Sequence, residues 1–361
     1  MTAYLDYAAT TPAHERVIAC MNDCMRSAWA NPSAAYSDAG PARKALRMAR
    51  SHVAALLKCD PSCVAFTSGG TESNAWAMTA AAGKHAVISA IEHASVLEAA
   101  PSAARIPVTN DGIVTPEAVE RSLTPETRLV SVQWANNETG ALQPIEQIYP
   151  IVKKHGALLH VDAVQAFGHV PVDARHCDLL TISAHKCSGP RGAGCLIIRP
   201  GVQIPPLIPG SQERGRRGGT ENVPAIAGMR AAAELAEKDM QERMARETGL
   251  LRDFVSELDI PGMRVLSQNA PRLPGVMAVH IPGLPSELAI ARLDLMDIQV
   301  SGGAACQAGS HLPSHVYLAM GLGEKEANEV LRISIGRHTT SHELSQAAQA
   351  IRHIASGGNK P

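Results

Sequence analysis

Aromatic residues are scarce. Three Trp, five Tyr and three Phe make up 3% of the 361 positions. A stacking platform for single-stranded nucleic acid needs more rings than that. Neither sign of charge dominates. Lys and Arg number 33 against 34 Asp and Glu, a net charge of -1 with no basic block. A generic nucleic-acid surface is therefore not expected. No apolar run reaches the roughly 18 residues of a membrane span. The opening MTAYLDYAATTP has neither the charged nor the apolar stretch of a secretory leader. Cysteine occurs eight times, at 20, 24, 59, 63, 177, 187, 195 and 306, but never as C-x-x-C. That spacing predicts free thiols in a reducing cytoplasm rather than a disulfide framework. Apolar residues are plentiful at 45% and charged ones stand at 19%. Disorder is thereby excluded, and the length suits one large domain with a smaller companion.

Residues 41–58 read as a helix, with Pro41 at its first turn and Ala45, Leu46, Ala49, Val53, Leu56 and Leu57 near the helical period. Short apolar runs come after it at 63–67, 86–90, 127–133, 157–161, 178–183 and 194–198. Helical patterns at 71–82, 93–100, 116–122 and 144–155 alternate with them. This order predicts a mostly parallel sheet covered by helices. Residues 200–220 read as an irregular loop. A long helix spans about 224–258, with Gly249 as a candidate break. Strands at 276–281 and 330–335 and helices at 285–296 and 341–355 read as a smaller α+β domain.

Five motifs carry chemistry, and each has a bland reading beside it. Thr67-Ser68-Gly69-Gly70-Thr71-Glu72-Ser73-Asn74 follows a strand and opens a helix, which suits a phosphate or an ordinary capped turn. Asp162 ends the strand of His160-Val161-Asp162-Ala163-Val164-Gln165. It is placed to pair with a cationic ring nitrogen or to cap the next segment. Lys186, in Ser183-Ala184-His185-Lys186, stands at the end of the next strand. It can form a Schiff base there or be a solvated turn lysine. Cys306 lies on the small-residue stretch Ser301–Gly309, fit for a nucleophile that moves. The other cysteines in helix and strand patterns read as core. Arg332, in Leu331-Arg332-Ile333-Ser334-Ile335, is a fork for a carboxylate or a surface charge. Asn136-Asn137-Glu138-Thr139-Gly140 offers amide donors. His93 is a ring-stacking or a cap histidine. The basic turn Arg214–Asn222 is a second phosphate contact or a solvated loop.

The order and wording of these pieces together are specific. YLDYAATTP, FTSGGTESN, EHASV, NNETG-x-x-QPI, HVDAVQA, SAHK-x-x-GPRG, QERG-x-R-x-GTENV, the Cys306 loop with PSHV-x-x-AMG, and R-x-S-x-GRHTT closely resemble the cysteine desulfurases of the NifS/IscS type. These are pyridoxal-phosphate enzymes of the class V aminotransferase group, and the resemblance runs from about Tyr4 to Thr340. It implies a fold type I α/β architecture. Residues 13–240 would form the large cofactor-binding domain. Residues 1–12 and 241–361 would form a small domain carrying the mobile cysteine loop. Lys186 would hold pyridoxal 5'-phosphate through an imine. Asp162 would face the pyridinium nitrogen, Gln165 the phenolic oxygen, and His93 the ring. Gly70, Thr71, Ser183 and His185 would hold the phosphate, with Thr220 donated by the other subunit of a homodimer. Asn137 and Arg332 would hold the carboxylate of L-cysteine, Asn137 also bordering the cofactor. Cys306 would accept the sulfur, with His93 as one candidate base, and would be the sole candidate for a transient iron–sulfur contact.

The resemblance further implies release of alanine and delivery of sulfur to an acceptor, for iron–sulfur cluster assembly or thiolation. No direct nucleic-acid or membrane partner is expected. The sequence departs from the family at Ala34-Ala35-Tyr36-Ser37, at Pro209-Gly210-Ser211, and at Ala304 and Gln307 beside the cysteine. Other readings are a selenocysteine lyase or another class V enzyme, and a scaffold that kept the fold without catalysis.

Overall fold

The computed structural model describes residues 2–81, 83–303 and 312–357. Thirteen strands occur among them: β1 (Ala3–Tyr4), β2 (Val64–Thr67), β3 (His85–Ser89), β4 (Ala104–Ile106), β5 (Thr127–Ser131), β6 (Leu158–Asp162), β7 (Leu179–Ser183), β8 (Gly194–Ile198), β9 (Arg264–Val265), β10 (Val276–His280), β11 (Ile298–Gln299), β12 (Ser301–Gly302) and β13 (Val330–Ser334). Seven of them form the main sheet, in the order β2-β8-β7-β6-β5-β3-β4. All neighbours in it are parallel except at β8, which runs against both β7 and β2. Six strands therefore share one direction and a single strand is reversed.

The strand runs are apolar on both sides because both faces of the sheet are covered. β2, β7 and β8 are buried at every position. The first three helices are α1 (Glu15–Ser27), α2 (Gly40–Leu56) and α3 (Gly70–Met78). In α2, Pro41 sits in the first turn and Ala42, Leu46, Ala49 and Val53 are buried. The helix expected over 93–100 is only one turn, Ala94–Leu97.

The second sheet, β12-β13-β10-β9, is antiparallel, and β1 pairs in parallel with β11 beside it. A 36-residue helix, Val223–Leu258, joins the two regions. Its first half (Val223, Ile226, Met229, Leu235) packs into the core under the main sheet. Its second half (Leu251, Phe254, Leu258) packs into the core under the second. Gly249 does not break it. Both halves are anchored by burial, which outweighs the roughly 1 kcal/mol that one helical glycine costs. Residues 200–220 are irregular apart from one turn, Gln212–Gly215.

Candidate active site

Every strand of the common direction delivers its carboxyl end to one edge of the main sheet. In open α/β sheets ligands gather at that edge. Here the edge forms a cleft with about 880 Å³ of empty space, open at its mouth. β2 supplies Gly70 and Thr71, β3 supplies His93, β5 supplies Asn137, β6 supplies Asp162 and β7 supplies His185 and Lys186. All of these line the cleft, together with Gln165 and, from β13, Arg332.

Lys186 follows β7 in a tight turn, Ala184–Lys186. Its Nζ donates to the carbonyls of Ala8 (2.5 Å) and Ala9 (2.8 Å). It is thus held at the cleft wall and is not a solvated turn lysine. Burial, then the charges of Lys186 and Arg191, push the His185 imidazole down to about 4, so it is neutral at physiological pH. His185 Nδ1 lies 3.1 Å from Thr10 Oγ1.

Asp162 is buried, and its carboxylate acts as a cap while still bordering the cleft. Its Oδ1 accepts from the backbone N–H of Val164 (2.9 Å), as a cap does. Its Oδ2 accepts from Asn74 Nδ2 (2.7 Å) while the carboxylate still borders the cleft. Gln165 Nε2 donates to Ala8 (2.8 Å), the same carbonyl that holds Lys186. His93 likewise combines a capping bond with a place on the cleft wall. It lines the cleft, and its Nδ1 accepts the Ser95 N–H (3.1 Å) to cap the next turn.

At the phosphate-like end, α3 begins at Gly70 and leaves Thr71 exposed at the mouth. The approach is close: a Cβ on Gly194 would stand 2.8 Å from the Gly69 Cα. Ser183 lies beside this turn, with its Oγ 3.9 Å from where a Gly69 Cβ would be, but is not part of the cleft wall. Thr220 is exposed and does not line this chain's own cleft. In the basic turn before it Arg217 pairs with Glu72 (2.8 Å), Arg216 donates to the Ser62 carbonyl (2.8 Å), and Glu213 is spent on Arg50 (2.6 Å).

Arg332 is not a surface charge. It is 2% exposed, donates through Nη1 to the Asn137 carbonyl (3.0 Å), and pairs through Nη2 with Asp6 (2.8 Å). A guanidinium has five N–H donors, so each of these nitrogens keeps a second hydrogen.

Cys306 lies outside the described residues, but both flanks of its segment are fixed beside the cleft. Ser301 pairs with Arg332 across β12 and β13. A Cβ on Gly303 would stand 2.6 Å from Glu138 Oε2, and Ser314 Oγ donates to that same oxygen (2.6 Å). His315 Nε2 lies 3.0 Å from the Glu92 carbonyl. Seven other cysteines are free thiols, and none lines the cleft. Burial raises the thiols of Cys59 and Cys187 to about 12, which makes them poor nucleophiles. Among the described residues no group of three or more His, Cys, Asp or Glu is placed to hold a metal ion.

Several working residues are not apparent from sequence reasoning. Asn74 bridges Asp162 and Ser95. It stands in the FTSGGTESN run, one turn after Gly70, and that helical spacing is the signal that could have found it. Glu92 is fully buried. Burial, then the neighbouring Asp162, raises its carboxyl well above the usual range. His169 lies against the Lys186 carbonyl (2.7 Å) and Arg243 Nη1 (3.3 Å). Nothing in their local patterns marks these two.

An amine held at a strand end, a carboxylate on the neighbouring strand and an open helix start over one cleft fit pyridoxal phosphate group by group. The donor set matches its aldehyde, its ring nitrogen and its phosphate. The fold and this cleft define a pyridoxal-phosphate-dependent enzyme of fold type I. Comparison with known proteins makes the class specific. The model of the family "Aminotransferase class-V" matches residues 3–346, and the chain belongs to that family. It is 37% identical to a protein of Methanosarcina thermophila named cysteine desulfurase IscS, over 97% of this chain and 91% of that one. The NifS-like protein of Rickettsia africae superposes with a TM-score of 0.92 at 34% identity, covering 99% of this chain and all of that one. A structure described as SspA in complex with cysteine superposes at 0.80 and 31% identity, covering 94% of this chain and all of that one.

Proposed function

We propose that the chain is a cysteine desulfurase, converting L-cysteine to L-alanine and taking the sulfur onto Cys306 as a persulfide. One observation carries this reading. The segment bearing Cys306 is rooted at both ends on the walls that hold Asn137 and Arg332. Three Cα steps separate Gly303 from Cys306, so about 11 Å is the most that can lie between their Cα atoms. The desulfurase relatives and the cysteine complex of SspA support the choice of substrate.

In this reading Gly70, Thr71 and His185 would hold the cofactor phosphate, Ser183 would reach it only from behind the Gly69 turn, and Gln165 and His93 would border its ring. Asp162 holds a proton on the ring nitrogen. Bound there, pyridoxal phosphate supplies an electron sink for a carbanion at the substrate Cα. Lys186 Nζ would hold the cofactor and would move the proton at the substrate Cα. Arg332 and Asn137 orient the substrate carboxylate. Cys306 Sγ forms the S–S bond as the substrate C–S bond breaks. One cysteine and one thiol give one alanine and one persulfide, so the atoms balance.

The residues 13–240 form the cofactor unit, and 1–12 with 241–361 the smaller one. Thr220 lies off its own cleft, and a homodimer would bring it to the partner's. A persulfide needs an acceptor protein, whether an iron–sulfur scaffold or a thiolation carrier, and Cys306 would meet it. Free thiols favour the cytoplasm. Among the described residues no helix is long and apolar enough to cross a membrane.

The test is incubation of cofactor-loaded protein with L-cysteine, measuring alanine and sulfide. Cys306→Ala should keep the coloured cofactor and lose sulfide release. Normal sulfide release from that variant would remove Cys306 from the mechanism.

A further inference from the structure

Asp162 and His93 both line the cleft, and a continuous set of hydrogen bonds joins them. Asn74 Nδ2 lies 2.7 Å from Asp162 Oδ2 and 2.8 Å from Ser95 Oγ. Ser95 Oγ lies 2.8 Å from His93 Nδ1, and the Ser95 backbone N–H also points at Nδ1, at 3.1 Å. Asn74 and Ser95 are both buried, at 1% and 8% exposure.

The chemistry of these groups allows only one direction. Reversing the Asn74 amide would set its oxygen 2.7 Å from a carboxylate oxygen. The amide therefore spends one hydrogen on Asp162 and the other on Ser95. The Ser95 hydroxyl accepts that hydrogen and keeps one of its own. The backbone N–H can only donate. A proton on Nδ1 would set two N–H groups head to head at 3.1 Å. Nδ1 is therefore the acceptor, and the ring proton of neutral His93 sits on Nε2.

We infer that Asn74 and Ser95 are positioning residues that lock His93 in its Nε2–H form and tie it to Asp162. The ring then presents a donor to the cleft, not a lone pair. This reverses the expectation that His93 deprotonates the Cys306 thiol. In the desulfurase reading, on which the meaning of the relay rests, His93 donates to the substrate or its departing sulfur. The thiol proton must leave by another route.

The experiment is long-range ¹H–¹⁵N NMR on histidine-labelled protein, with and without cofactor and without substrate. Wild type should show His93 as Nε2–H. Ser95→Ala removes one of the two donors to Nδ1. It should shift the tautomer ratio toward Nδ1–H by about 2- to 10-fold, the worth of one hydrogen bond, and change the pH profile of alanine formation. Ser95→Thr keeps the hydroxyl and should restore both. An Nδ1–H ring in wild type overturns the inference whether or not the variants fold. So does a Ser95→Ala protein whose ratio and pH profile match wild type. The tautomer is read without turnover. A locked ring in a protein that makes no alanine would defeat the desulfurase reading and leave the relay standing.

Discussion

Replacing Arg332 by lysine keeps the charge and removes the fork. The native guanidinium spends one hydrogen on the Asn137 carbonyl and one on Asp6, and a second hydrogen remains on each nitrogen for a ligand. A lysine ammonium is a point charge with three donors on a longer, looser stem. To stay paired with Asp6 it must give up at least one charge-assisted bond to a bound carboxylate. Such a bond contributes about 1.5–3 kcal/mol, so binding of L-cysteine should weaken roughly 10- to 150-fold. The loss is common to ground and transition states, and it should appear in KM with little change in kcat. Asp6→Asn is the control. It keeps an acceptor beside Nη2 and leaves the fork in place, so its KM should rise by less than about tenfold. The assay is alanine formation across cysteine concentrations, with circular dichroism to confirm folding. A folded Arg332→Lys enzyme with KM within twofold of wild type would refute the assignment.

Two further outcomes concern the frame around the cleft. Glu247, on the long helix, is fully buried, and neither carboxyl oxygen has a hydrogen-bond partner among the described residues. Burial outweighs the nearby arginines and raises its carboxyl to about 7. The folded state thus holds a proton that the unfolded chain has lost above pH 4.5. Stability from this group is present below about 4.5 and lost as pH rises through 7, by an amount on the order of 3 kcal/mol. Glu247→Gln should flatten that slope and raise the melting temperature at about pH 8. A lower melting temperature there would contradict it. Gly194→Ala would press a methyl against the backbone of Gly69 and Ile182, each 2.8 Å away. It should cost about 1–3 kcal/mol of stability and weaken cofactor retention on dialysis.

The strands of the main sheet are legible because both faces are buried, which leaves unbroken apolar runs. The reversal of β8 is not: GCLII and CVAFT look alike, and direction is set by the chain's path, not by the residues of the strand. Lys186 and Asp162 stand out because each ends such a run. Arg332 is harder to place. Alternation assigns it to one face of β13, but not that Asp6 and Asn137 cover that face. Ser95 and Glu92 are ordinary polar residues in sequence, and only their burial gives them a role, whereas Asn74 is hinted at by its place one turn after Gly70. For His93 and Asp162, capping does not exclude a place on the cleft wall, because a histidine or a carboxylate can accept at one atom and border the cleft with another.

The central claim is that the ε-amine of Lys186 carries the cofactor in this cleft. Borohydride reduction of the cofactor-loaded protein, followed by proteolysis and peptide mass mapping, tests it directly. The account predicts one phosphopyridoxyl group on the peptide containing Lys186 and none elsewhere. An unmodified Lys186 peptide, or a label on another lysine, would contradict it.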